Sequence, residues 1–565
     1  MVDGESEIDD DKFFLAPNGK MDAKAELHAT LDALLNETRF DDNSSACLFP
    51  ARKAWLGEKL GIDNFAEVSC KEFDKTLRRL DPKSTTMVFP SAHINSPASM
   101  FGHTFLRINS SYNSKLLSYA VNYAANADAD TENGFIFAIK GLFGGYYGHY
   151  SLLPYYEKLK EYRDTEQRDI WEYDLSLNEQ EILKMVRHIW ELNNIYSNYY
   201  FFTENCSYNM LWLLEVARPS LHLREEFLYH VTPLETIHVF KEKGIISDVN
   251  YRASKRAILL KYDELIKDEY LHFVKDIVES KISIEDFLSI KEISLQQKRY
   301  ILEASIEFLE YSFSKNDMKK SEYISLFHSL SKHRASLKKG KELFIKPPHN
   351  PINGHRAVRI ALGGGMRENE AIGFLNLRVN YHDLEDSNYG FLRGTQIEFF
   401  NLELSYTKEE LDLERMTLLS IVSLAQRSEF FESISWRTKF GWDRDSLEEK
   451  ADFMATVGAG FSWGNKYGYS YLMLDPLVYF ADEFKAGIGG SVGLVIDGYD
   501  FMGTNLEYTR RYYHSDEHQN LLNLTQSFRL SQNLQMKFKY EYKDKKISDF
   551  KYQEDTLRAQ INYYF

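Results

Sequence analysis

The sequence has no run of 18 or more apolar residues, so no transmembrane helix is expected. It has no excess of basic charge: 84 acidic against 68 basic residues leave a formal net charge of −16. That excludes a nucleic-acid binder working through a broad basic surface, and no nucleic-acid partner is expected. Cysteine is scarce, with only 3 in the chain: Cys47, Cys70 and Cys206. An oxidising compartment could join the first two and leave Cys206 as a free thiol. A phosphate loop is missing, because no Gly-Lys-Ser/Thr follows Gly363-Gly364-Gly365. The G-x-S-x-G match Gly489-Gly490-Ser491-Val492-Gly493 has no helix pattern after it, so it is not a nucleophile elbow. His93, His103, His149 and Cys206 do not have metal-ligand spacing, and neither a metal nor another cofactor is expected. The start, Met1-Val2-Asp3-Gly4-Glu5, has neither the basic region nor the apolar core of a signal peptide. Either the protein is cytosolic or a presequence has been removed.

Aromatic residues, in contrast, are plentiful. They make up 15% of the chain, with 37 Tyr and 38 Phe, a usage that suits membrane-interface belts. The acidic stretch 1–20 is expected to be disordered. Residues 21–83 read as a helical accessory domain, with Ala25, Leu27, Leu31, Leu34 and Leu35 at helical spacing and Phe73, Leu77 and Leu80 repeating it. Residues 84–235 carry the chemistry. Residues 236–345 read as a helical connector whose basic end, Lys332-His333-Arg334 and Lys338-Lys339-Gly340-Lys341, is either a solvated face or an attraction for anionic head groups.

Within 84–235, Thr85 to Phe89 reads as a buried strand, and Leu116 to Tyr123 as the antiparallel neighbour of a short strand bearing His103. Arg168 to Leu175 reads as a further strand. Ser176-Leu177-Asn178-Glu179 has a capping-box pattern, opening a helix with Ile182, Met185, Val186 and Ile189 on one face. Gly141 to Tyr150 reads as a flexible glycine–aromatic loop. It serves either as an apolar lid or groove, with Phe143, Tyr146, Tyr147 and His149 as substrate-binding candidates, or as a packing loop. In Thr203-Glu204-Asn205-Cys206-Ser207, Asn205 is a good cap for a helix carrying Met210 to Leu214. A thiol at a helix start is biased towards thiolate, and a nearby His would complete its activation. A buried structural Cys with a core His is the bland alternative.

This order of elements resembles the circularly permuted papain-like thiol enzymes, the superfamily of lecithin:retinol acyltransferase-like proteins and cell-wall amidase relatives. Asn95-Ser96-Pro97, Phe101-Gly102-His103 and Glu204-Asn205-Cys206-Ser207 are similar, more closely, to the bacterial family of Lnb N-terminal periplasmic domains. The resemblance implies a permuted papain-like α+β domain in which Cys206 attacks an acyl carbonyl and His103 takes the thiol proton. Asn122 would orient the imidazole, with Asn95 as second candidate, and the Cys206 N–H would face the oxyanion.

From about residue 355 the hydrophobic period becomes two and stays there. Ile434, Trp436, Thr438, Phe440 and Trp442 alternate with Ser433, Ser435, Arg437, Lys439 and Gly441, and the last strand ends at Phe565. About twelve such segments of roughly ten residues predict a transmembrane antiparallel β-barrel over 346–565, with one phase slip between Phe399 and Leu402. Arg437 and Lys439 should face the lumen and tolerate polar change. The whole reads as a multidomain α+β chain: a helical N-terminal region, the thiol domain, a helical connector and an outer-membrane barrel. A signal peptide is then inferred to have been removed, with the soluble domains in the periplasm. Outer-membrane lipid is the expected surroundings. The functional expectation is a cysteine hydrolase or acyltransferase acting on a lipid or cell-envelope acyl substrate. The alternative is a non-catalytic module that assists a periplasmic protein partner.

Overall fold

A computed structural model describes residues 4–62, 65–92, 101–112, 114–126, 140–141, 144–227, 230–315, 318–408, 410–445, 447, 450–482, 484–514, 517–547 and 550–565. Two compact units divide the chain, Met1–Arg256 and Ala257–Phe565.

The first unit is built on a 7-stranded sheet, in the order β6-β4-β3-β2-β1-β5-β7. The strands are β1 (Ser84–Pro90), β2 (Phe105–Asn109), β3 (Tyr119–Ala125), β4 (Tyr146–Pro154), β5 (Ile170–Leu175), β6 (Tyr196–Tyr199) and β7 (Ile246–Arg252). All neighbours pair antiparallel. The helix Glu179–Glu191 buries Ile182, Met185, Val186 and Ile189, and its capping box is Asn178 with Glu181 rather than one opened by Ser176. In the helix Cys206–Ala217, Met210, Leu211, Leu213 and Leu214 are fully buried, so this helix is held by packing on nearly every side.

A charged knot lies inside the sheet domain. Arg107 and Glu172 are both buried and meet at 2.7 Å; Tyr155 and Arg252 also donate to Glu172, each at 2.5 Å. The knot joins β2, β5 and β7, elements that sequence alone had split between two domains. The chemistry-bearing domain therefore runs past residue 235 to the end of β7, and the helical connector starts after it. β7 was missed because Ile246-Ser247-Asp248-Val249-Asn250-Tyr251-Arg252 alternates only weakly.

Residues 4–20, expected to be disordered, are instead packed against the sheet domain. Asp9 accepts from the Asn198 N–H at 2.6 Å, Glu7 pairs with Arg224 at 2.7 Å, and Ile8 and Phe13 are buried. The acidic residues that suggested disorder are ordered by specific partners: Lys20 for Asp9, and Arg224 and Tyr208 for Glu7. Downstream, the helices Ala23–Leu35 and Lys71–Leu80 form as their spacing requires, and Pro50–Leu60 forms another between them.

A disulfide links Cys47 to Cys70 and leaves Cys206 as the free thiol. It closes a loop across a sequence separation of 23. Replacing both cysteines with alanine should lower the stability of this unit by about 3 kcal/mol, read as a lower thermal-unfolding midpoint. An unchanged midpoint would mean that the bond carries no load.

The second unit combines helices with a barrel. The helices Asp268–Val278, Ile284–Ser289, Leu295–Ser314 and Lys320–Ser336 enclose a core that includes Val274, Phe287, Ile301, Leu309 and Leu330. Phe430 and Phe431, from a barrel turn, complete that core, Phe430 tilted against Phe308 and Phe431 edge-on to Tyr311.

The barrel is closed and has 12 strands, from β8 (Arg359–Arg367) to β19 (Phe550–Tyr564), which pair with each other to shut the ring. Outward positions are apolar: Leu362, Leu375, Leu377, Leu472, Leu474, Val492, Leu557 and Ile561 are all exposed. Aromatics such as Tyr467, Phe480, Phe484, Tyr499, Tyr512 and Phe565 stand at the strand ends. A lipid-facing exterior over a polar, closed interior is what a hydrocarbon surrounding demands. Among the described residues no helix is long and apolar enough to cross a membrane. The glycine run in β8 serves packing: a Cβ on Gly365 would lie 2.0 Å from the Leu557 carbonyl oxygen. The phase slip falls at Phe400, whose φ of 51° is left-handed.

The lumen is filled with ion pairs. Arg437 donates to both carboxylate oxygens of Asp475, at 2.7 and 2.6 Å, and to Glu507 at 2.6 Å. Lys439 donates to Asp443 at 2.7 Å. Both cations face inwards as the alternation predicts, yet Arg437 is no tolerant site. Arg437→Gln leaves two buried carboxylates without their cation and should cost about 3–5 kcal/mol. Heat-modifiable gel migration at a clearly lower temperature is the expected readout; unchanged migration would contradict it.

Candidate functional site

Asn205 begins the site. Its side chain accepts from the N–H groups of Ser207 and Tyr208, at 2.9 and 3.1 Å, and donates to the carbonyls of Phe201 and Val231, at 2.9 and 2.6 Å. The cap therefore starts the helix at Cys206 and also pins the loops on either side of it. Cys206 itself is only 5% exposed.

His103 lies two residues before β2 rather than on it, and the end of that strand carries it to the thiol. Asn122, on β3, accepts from His103 Nε2–H at 2.8 Å. Since an amide oxygen can only accept, this bond sets the tautomer and leaves Nδ1 for the thiol. The imidazole also stacks on Tyr162, with ring centroids 5.7 Å apart. Tyr162 belongs to a π-helical turn, Lys160–Thr165, a geometry frequent at functional sites.

Burial pushes the Cys206 thiol up. The His103 charge and hydrogen bond, the Thr104 N–H and the Ser207 hydroxyl outweigh it and bring the thiol down to about 6. Thr104 in turn donates to the Ser207 hydroxyl at 3.0 Å, tying the His segment to the cysteine helix.

The Cys206 N–H meets the Tyr199 hydroxyl at 3.4 Å. Burial, then the Cys206 charge, holds that hydroxyl well above the usual tyrosine range, so it stays protonated. Glu204 is pushed up to about 7 by burial and by the neighbouring carboxylates of Glu7 and Asp9, both from the N-terminal segment.

The structure thus brings together Cys206, His103 and Asn122. Asn95 and Phe143 lie outside the described residues. Tyr146, Tyr147 and His149 are on a paired strand, β4, not on a flexible loop, because β3 and β6 flank it on both sides. Tyr146 is buried and stacks on Phe201. By strand alternation Tyr147 and His149 project to the other face, where they pack on Tyr196. Only Tyr146 shares a sheet face with Tyr199, its cross-strand partner. Sequence reasoning missed Tyr199, Thr104, Ser207 and Tyr162. Tyr199 opens the run Tyr199-Tyr200-Phe201-Phe202, and nothing in the spacing marks it out from its neighbours.

Together the two units define a membrane-anchored envelope protein. Residues 72–243 match the family model described as the Lnb N-terminal periplasmic domain. Residues 348–564 and 2–59 match two domains of unknown function, DUF7840 and DUF7843. The chain therefore carries an Lnb N-terminal periplasmic domain ahead of a closed outer-membrane barrel. Solved structures similar to it include the NanC porin (9% identity, covering 36% of this chain and 100% of that one, TM-score 0.25). The KdgM porin (11%, 37% and 99%, TM-score 0.23) and an anion-selective porin from Comamonas acidovorans (8%, 37% and 98%, TM-score 0.20) are others. The chain has no significant match among curated proteins. An even strand number returns both barrel ends to one side, so the protein sits in the outer membrane with its soluble part in the periplasm. The Cys47–Cys70 bond suits that oxidising compartment.

Proposed function

We propose that the periplasmic domain is a papain-like thiol enzyme that hydrolyses or transfers acyl groups on a lipid or other cell-envelope substrate. The observation that carries this reading is the arrangement of Cys206 at a capped helix start with His103, which Asn122 orients at 2.8 Å, an arrangement that draws the thiol down from its ordinary value. A structural thiol gains nothing from a depressed pKa, whereas a nucleophile does. In this reading His103 receives the thiol proton, and the Cys206 sulfur attacks the carbonyl of an amide, ester or thioester. The oxyanion is met by the Cys206 N–H, displacing the Tyr199 hydroxyl, which turns to become a second donor. His103 then protonates the leaving group, and water or an acceptor nucleophile releases the acyl group.

The burial of Cys206 favours a second reading, a non-catalytic module that assists maturation of a periplasmic partner. Comparing the lipid and muropeptide composition of cells carrying wild type, Cys206→Ala or His103→Ala separates the two. The enzyme reading expects one acylated species to accumulate in both variants while the barrel still assembles. Identical compositions, with a partner protein lost instead, would favour the module.

A further inference from the structure

A concavity lies in the first unit, remote from the thiol. It has a volume of about 670 Å³ and runs between the N-terminal segment, the helices Ala23–Leu35 and Pro50–Leu60, and the helix Glu179–Glu191. Phe13, Leu27, Trp55 and Val216 are among its lining residues. Val216 is at the far end of the helix that Cys206 begins, about 15 Å along its axis at 1.5 Å per residue, so this is not the acyl site. The volume is within the roughly 300–1,000 Å³ typical of small-molecule sites. Leu27 and Trp55 remain 38% and 54% exposed, so the groove presents unburied apolar surface.

Its charges are unevenly satisfied. Every acid on the wall is already taken. Glu26 holds Arg52 and the N–H groups of Leu15 and Ala16. Glu191 accepts from the N–H groups of Ala51 and Arg52, at 2.7 and 2.9 Å. Glu58 pairs with Lys184 at 3.3 Å. Arg187, which also lines the groove, is half-buried and has no hydrogen bond or ion pair among the described residues. Burial alone acts on its guanidinium, pulling it down from its ordinary value. Beside it, His188 Nε2 is buried with no hydrogen-bond partner. A guanidinium withdrawn from water without an anion is costly, and an apolar groove is the wrong place to leave one. The pair of orphaned polar groups at an apolar trough asks for a ligand with a hydrocarbon body and one anionic end.

We infer that this groove binds a long-chain fatty acid, its chain along Phe13, Leu27, Trp55 and Val216 and its carboxylate on the forked N–H groups of Arg187. One groove matches one chain, and Arg187, the lining cation left unpaired among the described residues while Arg52 and Lys184 are held by Glu26 and Glu58, matches a carboxylate in bidentate geometry. The inference does not depend on Cys206 being a nucleophile.

The test uses the full chain in lipid nanodiscs, because detergent would compete for the groove. The probe is hexadecanoic acid carrying a diazirine at its chain end; after irradiation, adducts are mapped by mass spectrometry. Adducts are expected on peptides spanning residues 51–60 and 180–191, competed away by excess hexadecanoic acid and retained in Cys206→Ala. Arg187→Gln should lower groove labelling by the acid roughly tenfold, the loss of one charge-assisted contact, and leave labelling by the matching diazirine alcohol unchanged. Ala54→Trp, which fills the groove from its wall, should abolish both, with an unaltered thermal-unfolding midpoint confirming that each variant is folded. Adducts confined to the barrel strands would overturn the inference. So would groove labelling in Arg187→Gln and Ala54→Trp equal to wild type.

Discussion

Iodoacetamide is expected to alkylate Cys206 with a pH profile whose midpoint lies near 6, and His103→Ala is expected to move that midpoint well upwards. The direction follows from the balance at the sulfur. Burial favours the neutral thiol, and His103 supplies the largest opposing influence, through its charge and its hydrogen bond. With His103 gone, burial remains, and the Thr104 N–H and the Ser207 hydroxyl are weaker opposing influences. At pH 6 the thiolate fraction, about one half in the wild type, would fall steeply. A thiolate of low pKa is intrinsically the poorer nucleophile, which offsets part of this, so the net loss of rate at pH 6 is roughly ten- to a hundredfold. The midpoint shift is the cleaner readout, since intrinsic nucleophilicity does not affect it. A wild-type midpoint near 9, or one that ignores His103, would sink the activated-thiol reading. Cys206→Ser should show no adduct, because the other two cysteines are in the disulfide.

The second large effect concerns the barrel. Its closure and its polar interior are those of a channel, but the intact protein should give no porin-like current in planar bilayers. The connection between β9 (Glu370–His382) and β10 (Thr395–Tyr406) folds inwards, and its acids are held by cations on the barrel wall. Asp386 accepts from Arg378 at 2.6 Å and from Lys537 at 3.0 Å, and Tyr564 donates to it at 2.5 Å. Asp383 accepts from Arg378 at 3.1 Å, and Glu385 from Lys539 at 2.5 Å. Another connection brings Asp445 to Lys543 at 3.0 Å. Between them lies a cavity of about 250 Å³ crossed by the Arg437 ion pairs. An ion would have to break several buried, mutually satisfied pairs to pass, each break costing a few kcal/mol. Replacing residues 384–393 with a short Gly-Ser turn should convert silence to measurable steps. Steady conductance from the unaltered protein would contradict this picture of a closed anchor.

Much of this molecule was legible in advance where the signal is local or periodic. Twelve strands of alternating residues announce a barrel because each strand must satisfy lipid on one face and lumen on the other, a constraint that repeats every two residues. Asn205 before Cys206 announces a helix start because the cap acts within three residues. Even the pairing of His103 with Asn122 could be guessed once β2 and β3 were taken as neighbours.

The errors share a different cause. The N-terminal segment looked disordered because its acids have no partners nearby in sequence; Arg224 lies more than 200 residues from Glu7. Weakly patterned β7 became part of the sheet because β5 offered it an edge and Glu172 offered its Arg252 a charge. Tyr147 and His149 left the candidate site because strand pairing turned them to the opposite face, away from Tyr199. By itself, then, the sequence determined the barrel, the cap and the identity of the thiol, since each obeys short-range periodicity or capping. Only the tertiary structure decided that Tyr199 meets the Cys206 N–H, that acidic loops occupy the lumen, and that Arg187 is left beside an apolar groove. Those outcomes depend on which distant groups come to lie within a few ångströms of one another, and on how much water is excluded when they do.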